Sequence, residues 1–390
     1  MSTMLKGRQM GPAGSGLIGS RLKQLRLSLG LSLEELASRI SNAVTKQALS
    51  KYEKGLITPS PSVLLRLGKA LGVRSSYLIS SQQVSVSILG LRKRCTARKK
   101  EVVRVTNLMS HELEKRASLE SLFESSEYTK PPILQFKIRH IKEAERVAEQ
   151  LRKTWKLGID PIKDLMYTLE SNHVHGLVIH TSDKFDGMSA YANIARSKKY
   201  IAAVLTRDGI SGERQRLNVS HELGHLVMKI DASIDAEKAA YRFAGAFLAP
   251  RKALELVIGT KRRNIATEEL LHLKRTFGIS VQALVIRLRD LEIITESDCR
   301  NRFIYFGKTG WRKEEPTFIE PEKPMWIKQV TLRAFQEGIL SRQQVEYYGG
   351  NIPPVAGQCS PNSPSNLMKL SIEERRRVML EGANRGIAGQ

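Results

Sequence analysis

The sequence predicts a mainly α-helical protein with a small β layer, arranged in more than one domain. Apolar residues recur at helical spacing through most of the 390 residues. Alternating or β-branched apolar runs, which are typical of strands, are confined to short central stretches such as 174–180 and 200–205. The length allows two or three domains, each with its own core. We therefore expect an all-α domain, then an α+β domain, and then a helical C-terminal part.

The composition is that of a globular protein without a membrane partner. Apolar residues make up 41% and charged residues 26% of the chain. No apolar run approaches the ~18–20 residues that a membrane helix needs, and residues 1–15, which we interpret as a flexible leader, lack the apolar segment of a signal peptide. Cys95, Cys299 and Cys359 are widely spaced and form no CxxC pair, which argues against a disulfide framework and a cysteine-based zinc site. A cytoplasmic location is expected.

The charge of the chain is its unusual property. The formal net charge is +24, and residues 1–100 contain eighteen Lys and Arg residues against three acids. An excess of this size predicts a polyanionic partner, with nucleic acid as the first candidate. A charge that serves solubility, or an affinity for anionic lipid, is the alternative.

Residues 16–80 carry the signals of a small helical domain. Ser32 and Glu35 form a capping box, and Thr45 can cap a helix over 46–54. Glycines at 30, 55 and 72 follow the predicted helices, where glycine commonly ends them. A helix, a short turn and a second capped helix rich in polar side chains make a helix-turn-helix arrangement, whose second helix enters the major groove of DNA.

The segments LSLEELASRI and TKQALSKYEKG resemble the lambda-repressor-like (XRE) helix-turn-helix family. The resemblance implies double-stranded DNA as a partner, and such domains often pair on two half-sites, so a homodimer is one expectation. The turn between Ala37 and Thr45 is about two residues longer than the usual pattern. A helical protein-interaction module is the alternative. The predicted DNA-contacting side chains are Thr45, Lys46, Gln47 and Ser50 at the reading end of the helix, with Lys51, Lys54 and Arg39 on phosphates.

Residues 81–135 are interpreted as a linker and a helical connector. The run 84–91 alternates and predicts a short strand, whereas the basic runs 92–94 and 98–100 are typical of a solvated linker. Apolar spacing predicts a helix over 101–123. That helix contains His111 and Glu112, which begin like a zinc motif but lack its second histidine, so we interpret it as a surface helix.

The most informative stretch of the chain is HELGH at 221–225, which fits H-E-x-x-H. His221 and His225 are four residues apart, so on a helix both imidazoles can reach one Zn²⁺. Glu222 stands beside them, where a general base for the attack of water is needed. Short predicted strands precede this helix, which is the order expected of a zincin. The alternative is an ordinary amphipathic helix with two histidines.

Catalytic zinc usually has three protein ligands, so a further side chain is required. Asp231, Asp235 and Glu237 follow the motif within 12 residues and compete for this role. Glu237 is favoured because its helical spacing places it on the same side as the apolar residues of 237–250, where a partner for a carboxylate is required. The candidates for a donor to the oxyanion are His173, His175, His180, His272 and Tyr241.

Several words across 140–320 resemble the ImmA/IrrE family of metallopeptidases. They are AERVAEQLRKTWKLGIDPI, KFDGMSAYA, RQRLNVSHELGH, EKAAYRFAGAFLAP, LHLKRTFGISVQALVIRLRDL and GWRKEEP. The resemblance implies a zincin-like (gluzincin) α+β domain over 136–320, with one Zn²⁺, or another divalent metal such as Mn²⁺, on His221, His225 and Glu237. Glu222 is then the base. The chain departs from the family at Tyr241, usually Asn, and at Asn218, usually Thr.

The remainder of the chain is predicted to be helical and then flexible. Two amphipathic helices meet at Gly278, and we interpret them as packing elements of the peptidase domain. A helical extension is expected over 321–350, with a capped helix after Ser341. The Pro/Ser/Gly-rich segment 352–366 predicts disorder, and 370–380 predicts a tethered amphipathic helix, within a tail over 351–390.

Together these patterns predict a DNA-binding regulator fused to a zinc endopeptidase. The ImmA/IrrE resemblance implies cleavage of a repressor, or of another regulatory protein, in a stress or mobile-element response. The alternative is a transcription regulator without proteolysis, whose metal site is structural or sensory. Such a protein could be the antitoxin-like half of a toxin–antitoxin pair, with a neighbouring-gene product as its partner.

Overall fold

Among the described residues, five helices form the N-terminal part of the fold: α1 (Pro12–Ser28), α2 (Leu33–Arg39), α3 (Lys46–Glu53), α4 (Pro61–Leu71) and α5 (Ser75–Ile79). The computed structural model describes residues 12–73, 75–79, 86–95, 99–123, 130–194 and 199–350. The predicted capping box is confirmed, because Ser32 Oγ accepts from the Glu35 amide and the Glu35 carboxylate accepts from the Ser32 amide. The first turn of α1 lies within the stretch predicted as a leader, and residues 1–11 lie outside the described residues.

Helix α3 is held firmly against α1. Arg26 of α1 donates from Nε and Nη2 to the Glu53 carboxylate at 2.6 and 2.9 Å, in a nearly buried ion pair. A Cβ at Gly19 would lie 2.2 Å from the Tyr52 carbonyl oxygen, so only glycine allows the two backbones to approach this closely. In the long turn between α2 and α3, Ser41 and Asn42 adopt the left-handed conformation, with φ angles of 56° and 51°.

A four-stranded mixed sheet is the centre of the second part of the fold. Its strands are β1 (Val86–Cys95), β3 (Val174–Ile179), β4 (Phe185–Ile194) and β5 (Tyr200–Arg207). They lie in the order β1-β4-β5-β3, with β4 antiparallel to both β1 and β5, and β3 parallel to β5. A separate parallel pair joins β2 (Phe136–Ile138) to β6 (Met228–Ile230). The predicted mainly α fold with a small β layer is confirmed.

The connector between the two parts corrects two expectations from the sequence. The basic run 92–94 is a section of β1 and pairs with residues 187–189 of β4, so it is not a free linker. The following helix, α6 (Lys99–Glu120), is not a surface helix, because Val105, Met109 and Leu113 are fully buried against the sheet. His111 is also buried. The missing second histidine argued against a zinc motif but gave no information about burial, and α6 packs between the sheet and α1.

The opposite face of the sheet carries the helices of the large core. They are α7 (Glu143–Thr154), α8 (Leu165–Ser171), α9 (Gly212–Val227), α10 (Ala236–Leu248), α11 (Arg251–Ile258), α12 (Thr267–Phe277), α13 (Val281–Asp290) and α14 (Glu296–Lys308). Alternate residues of β5 divide between the two faces: Val204 joins the large core, whereas Leu205 packs with α6. The predicted joint between α12 and α13 is confirmed at Gly278, where φ is 67°.

Residues 314–324 follow α14 and contain several acids, which hold this segment against other parts of the fold. The Glu322 carboxylate pairs with Arg216 of α9 and accepts from the Leu165 and Met166 amides at the start of α8. Buried Lys274 lies 2.8 Å from both Glu213 and Glu315. Sequence patterns predicted none of these long-range ion pairs.

Two further helices, α15 (Trp326–Gln336) and α16 (Arg342–Tyr348), complete the described fold. The predicted cap at Ser341 is confirmed. The predicted disordered segment at 352–366 and the helix at 370–380 lie outside the described residues. Among the described helices, none is both long and apolar enough to cross a membrane.

Candidate functional site

The central helix α9 presents both motif histidines to one point. His221 and His225 are almost fully buried, and their Nε2 atoms are 3.1 Å apart. The rings meet edge to face, with centroids 4.7 Å apart. This is the consequence of the four-residue spacing, which places successive side chains one turn apart on a single face.

Close packing at Gly224 brings α10 to these histidines. A Cβ at this position would lie 2.9 Å from Cδ1 of Phe243 and 3.4 Å from Cα of Ala240. Asp235 starts α10, because its Oδ1 accepts from the amides of Glu237 and Lys238. Glu237 therefore lies in the first turn of α10, on the side that faces α9.

The Glu237 carboxylate reaches both histidines. Its Oε2 lies 3.3 Å from Nε2 of His221, and its Oε1 lies 3.1 Å from Nε2 of His225. Within the described part of the chain, these three side chains form the one group of His, Cys, Asp and Glu that could hold a metal ion. Three ligand atoms around one tetrahedral Zn²⁺ would be about 3.4 Å apart. Two imidazole nitrogens and a carboxylate at these separations fit such an ion, in both chemistry and spacing.

The two other acids that the sequence offered as third ligand have local roles instead. Asp231 accepts hydrogen bonds from the amide and the hydroxyl of Ser233. Both lower the pKa of Asp231, and the bond from the amide has the larger effect. Asp235 accepts a hydrogen bond from the Lys238 amide, and this bond is the main cause of the lowered pKa of Asp235. The side chain of Glu237 itself is 47% exposed, so the cluster is open to solvent on one side.

Glu222 of α9 lies against the sheet. The residue is only 2% exposed. A Cβ at Gly187 of β4 would lie 3.0 Å from its Cγ and 3.2 Å from its Oε1, so the absence of a side chain there makes room for the carboxylate. One turn before His221, Asn218 donates to the carbonyl oxygen of Asp186 at 3.4 Å. Strand β4 therefore runs directly beside the site.

Among the candidate hydrogen-bond donors to the oxyanion, Tyr241 contacts a histidine of the cluster. Its ring centroid lies 4.3 Å from that of His221, one turn after Glu237 on α10. The buried ring of His175 instead lies 3.1 Å from Glu120 and against Trp326, and its burial lowers its pKa. His180 pairs with Asp208 on the surface, His272 is exposed on α12, and His173 lies in the turn before β3.

The predicted DNA-contacting side chains lie on α3 and at its two ends, with Arg39 on α2. Thr45, Lys46, Gln47, Lys51, Lys54 and Arg39 are exposed, and Ser50 is half-buried. The Thr45 hydroxyl accepts from the Ala48 amide, so it caps the helix. Leu49 and Tyr52 are buried in the N-terminal core. The ion pair of Lys46 with Glu34 is long, at 3.5 Å, and exposed, so it restrains Lys46 little.

Comparison with known families matches both parts of the fold. Residues 22–78 match the helix-turn-helix family model, and residues 205–289 match the model of the IrrE N-terminal-like domain. The chain thus carries one segment similar to a helix-turn-helix domain and another similar to an IrrE N-terminal-like domain. The predicted fusion is thereby confirmed, and the match indicates a DNA-binding regulator with a metallopeptidase-like domain. No curated protein matches this sequence. The second match runs from β5 to α13 and contains all three cluster residues.

Two glycines, one of which lies outside the segment that matches the IrrE N-terminal-like domain, were missed as determinants of the site. Gly224 allows α10 to approach, and Gly187 accommodates Glu222. A glycine inside a strand often marks a close approach by another group, and this signal was present in the word KFDGMSAYA. The spacing of HELGH gave no comparable indication for Gly224, because its neighbour on α10 is distant in sequence.

Proposed function

We propose that this protein is a DNA-binding transcriptional regulator with a zinc-dependent endopeptidase domain. It cleaves a repressor or another regulatory protein in a stress or mobile-element response. The observation that carries the enzymatic part is the meeting of His221, His225 and Glu237, whose nearest ligand atoms are 3.1–3.3 Å apart beside buried Glu222. The helix-turn-helix match and the exposed polar side chains of α3 support the DNA-binding part.

His221, His225 and Glu237 would hold the metal, which is Zn²⁺ or another divalent ion such as Mn²⁺. When bound, such an ion lowers the pKa of a coordinated water and polarises the carbonyl of the scissile peptide bond. The half-exposed side of Glu237 leaves the cluster accessible to a polypeptide. A site closed by four protein ligands would serve structure, whereas three ligands leave a position for the reaction.

Glu222 is the residue that we assign to proton transfer. Its carboxylate accepts a proton from the attacking water and delivers it to the amine that leaves. The carboxylate is buried and occupies the space that the absence of a side chain at Gly187 leaves. Tyr241, whose ring lies against His221, is the residue that we assign to donate from its hydroxyl to the charge that develops on the carbonyl oxygen.

The test compares wild-type protein with Glu222→Gln, a variant of nearly equal size. Zinc content should be the same in both, because Glu222 is not assigned as a ligand. Cleavage of the neighbouring-gene product, used as the substrate probe, should fall by about 10²–10⁴-fold when the base is lost. Equal cleavage by both proteins would remove Glu222 from the mechanism and the peptidase proposal with it.

The DNA-binding part predicts different effects for two residues of α3. Gln47→Ala should relax base preference, because glutamine can read adenine through two hydrogen bonds. Lys51→Ala should weaken binding to all sequences and reduce the salt dependence of binding by about one phosphate contact. Electrophoretic mobility shifts at several salt concentrations distinguish the two effects. Unchanged binding by both variants would exclude α3 as the reading helix.

The second candidate function is a transcription regulator without proteolysis. The identity and position of Tyr241 favour it. The family usually has Asn here, and the tyrosine ring packs against His221. A ring in this place could restrict the access of a polypeptide to the cluster. A bound metal would then stabilise the fold or act as a sensor. A partner from a neighbouring gene would act as the toxin. In that case Glu222→Gln would leave regulation unchanged.

A further inference from the structure

A cavity of about 420 Å³ lies among helices α12, α13 and α14. Its size falls within the range of about 300–1,000 Å³ that is typical of sites for small molecules. The floor of the cavity is apolar, because five side chains of the large core line it, each at most 8% exposed: Ile265, Leu270, Val285, Leu288 and Ile294. An apolar chain or ring would cover the surface that these side chains still expose to water.

The mouth of the cavity is polar and carries more positive than negative charge. Asp298, Asn301, Arg302 and Tyr305 recur at helical spacing, so α14 presents them on one face towards the cavity. Arg263, which precedes α12, also lines the mouth. Two guanidinium groups therefore stand beside one carboxylate.

Neither guanidinium group has an anionic partner in the described part of the chain. No carboxylate oxygen there lies within 4 Å of a nitrogen of Arg263 or Arg302, whereas the neighbouring Arg262 pairs with Glu269 at 3.1 Å. Nη2 of Arg302 donates to Oδ1 of Asn264 at 2.9 Å and to the carbonyl oxygen of the next residue. These bonds hold the guanidinium at the mouth of the cavity, and its other nitrogens stay available.

The carboxylate at the mouth serves its own helix. Asp298 accepts from the hydroxyl and the amide of Thr295, which caps α14. The hydroxyl of Thr295, then its amide, and then the charges of Arg263 and Arg302 lower the pKa of Asp298, so it is ionised at neutral pH. One carboxylate can offset only one of the two guanidinium charges, and the mouth keeps an excess of positive charge.

We propose that this cavity binds a small amphiphilic anion, which is a molecule with an apolar chain or ring and one carboxylate or phosphate group. The apolar part would lie on the floor, and the anionic group would accept hydrogen bonds from Arg263 and Arg302. Arginine suits this role because its planar group donates two parallel hydrogen bonds to a carboxylate or a phosphate. The proposal goes beyond the proposed function, since no residue of the metal cluster or of α3 lines the cavity.

Helix α13 is a wall that this cavity shares with a second cavity of about 490 Å³. Val285 and Leu288 line the first cavity, whereas Ala283 lines the second together with Tyr241, which lies beside the metal cluster. A ligand in the first cavity would therefore restrain a helix that also borders the neighbourhood of the cluster. Helix α14, which supplies most of the mouth, lies outside the segment that matches the IrrE N-terminal-like domain.

Calorimetric titration of the full-length protein tests the proposal with four probes at constant ionic strength. Octanoate and octyl phosphate combine an apolar chain with an anionic group, 1-octanol lacks the charge, and acetate lacks the chain. At least one of the two amphiphilic anions should bind at a single site about tenfold or more tightly than 1-octanol and acetate. The better of the two identifies the anionic group. Absence of saturable binding of both, or equal affinity for 1-octanol, would overturn the proposal.

Two double variants show whether the charges at the mouth are responsible. Arg263→Gln with Arg302→Gln should weaken binding of the better anion about tenfold or more and leave that of 1-octanol unchanged. Arg300→Gln with Lys308→Gln is the matched control, because it removes two exposed charges from α14 that do not line the cavity. The control should retain the wild-type affinity. An equal loss of affinity in both variants would show attraction by the general charge of the protein and would contradict the site.

A variant that fills the mouth gives a second measurement, independent of charge. Asn301 is exposed, so Asn301→Trp should leave thermal unfolding unchanged while it weakens binding of the same anion about tenfold or more. In the wild-type protein the anion should slow hydrogen exchange in α13 and α14 and leave α3 unaffected. Undiminished binding by Asn301→Trp, or protection of α3 in place of α13 and α14, would overturn the assignment of this cavity.

Discussion

Replacement of Glu237 by alanine is the sharpest test of the metal centre. The substitution removes the carboxylate that lies 3.1 Å from His225 and 3.3 Å from His221, and it leaves both histidines in place. Zinc sites with four protein ligands are worth about 10–16 kcal/mol, so one ligand contributes about 3 kcal/mol, or roughly two decades in affinity. We therefore expect zinc to bind at least about 100-fold more weakly.

The metal-free protein should hardly change, which separates ligand loss from unfolding. Glu237 is half-exposed, and removal of one carboxylate near the start of α10 costs about 0.5 kcal/mol. Competition with a chelator measures the affinity, and thermal unfolding of the metal-free forms measures the stability. Asp231→Ala is the matched control, because it removes an equal charge from a neighbouring loop. Undiminished zinc binding in Glu237→Ala would refute the assignment of the third ligand.

Three further predictions concern close contacts and a buried histidine. Gly19→Ala should destabilise the DNA-binding domain by about 1–3 kcal/mol in urea unfolding, because its Cβ would lie 2.2 Å from the Tyr52 carbonyl oxygen. Gly187→Ala should retain zinc but lower cleavage about tenfold, because the methyl group displaces the Glu222 carboxylate; an unchanged rate would contradict this. Burial, reinforced by Lys115, lowers the pKa of His111 from 6.5 to about 4. The unfolded chain therefore binds the proton first, and up to about 3 kcal/mol of stability is lost as pH falls from 6.5 to 4. His111→Gln should remove that part of the slope.

The helix-turn-helix domain was predictable because its determinants are local in sequence. The capping box of Ser32 and Glu35 and the cap at Thr45 lie within three residues of the groups they bind. The two motif histidines were predictable for the same reason, since a four-residue spacing fixes their separation on any helix. The left-handed residues Ser41 and Asn42 in the longer turn were not predictable, because neither residue type requires that conformation.

The placement of Glu237 depended on an approach between two helices that the sequence indicated only in part. Its helical spacing gave the correct side of α10, but the distance to His221 is set by the contact of Gly224 with Phe243. The connector was misinterpreted in part because a run of basic residues was interpreted as a solvated linker. The run 92–94 is basic and yet pairs within the sheet, since backbone hydrogen bonds decide its position. Register between strands distant in sequence leaves no local pattern.

The proteolysis proposal is tested most directly by comparing new protein N-termini in cells that produce wild-type protein or Glu222→Gln at equal levels. Labelling of free amino termini followed by mass spectrometry detects a cleaved protein whatever its identity. The proposal predicts a small set of new N-termini, from a repressor or another regulatory protein, that is present with wild type and absent with Glu222→Gln. The same set in both, or in neither although the wild-type protein is loaded with zinc, would contradict it.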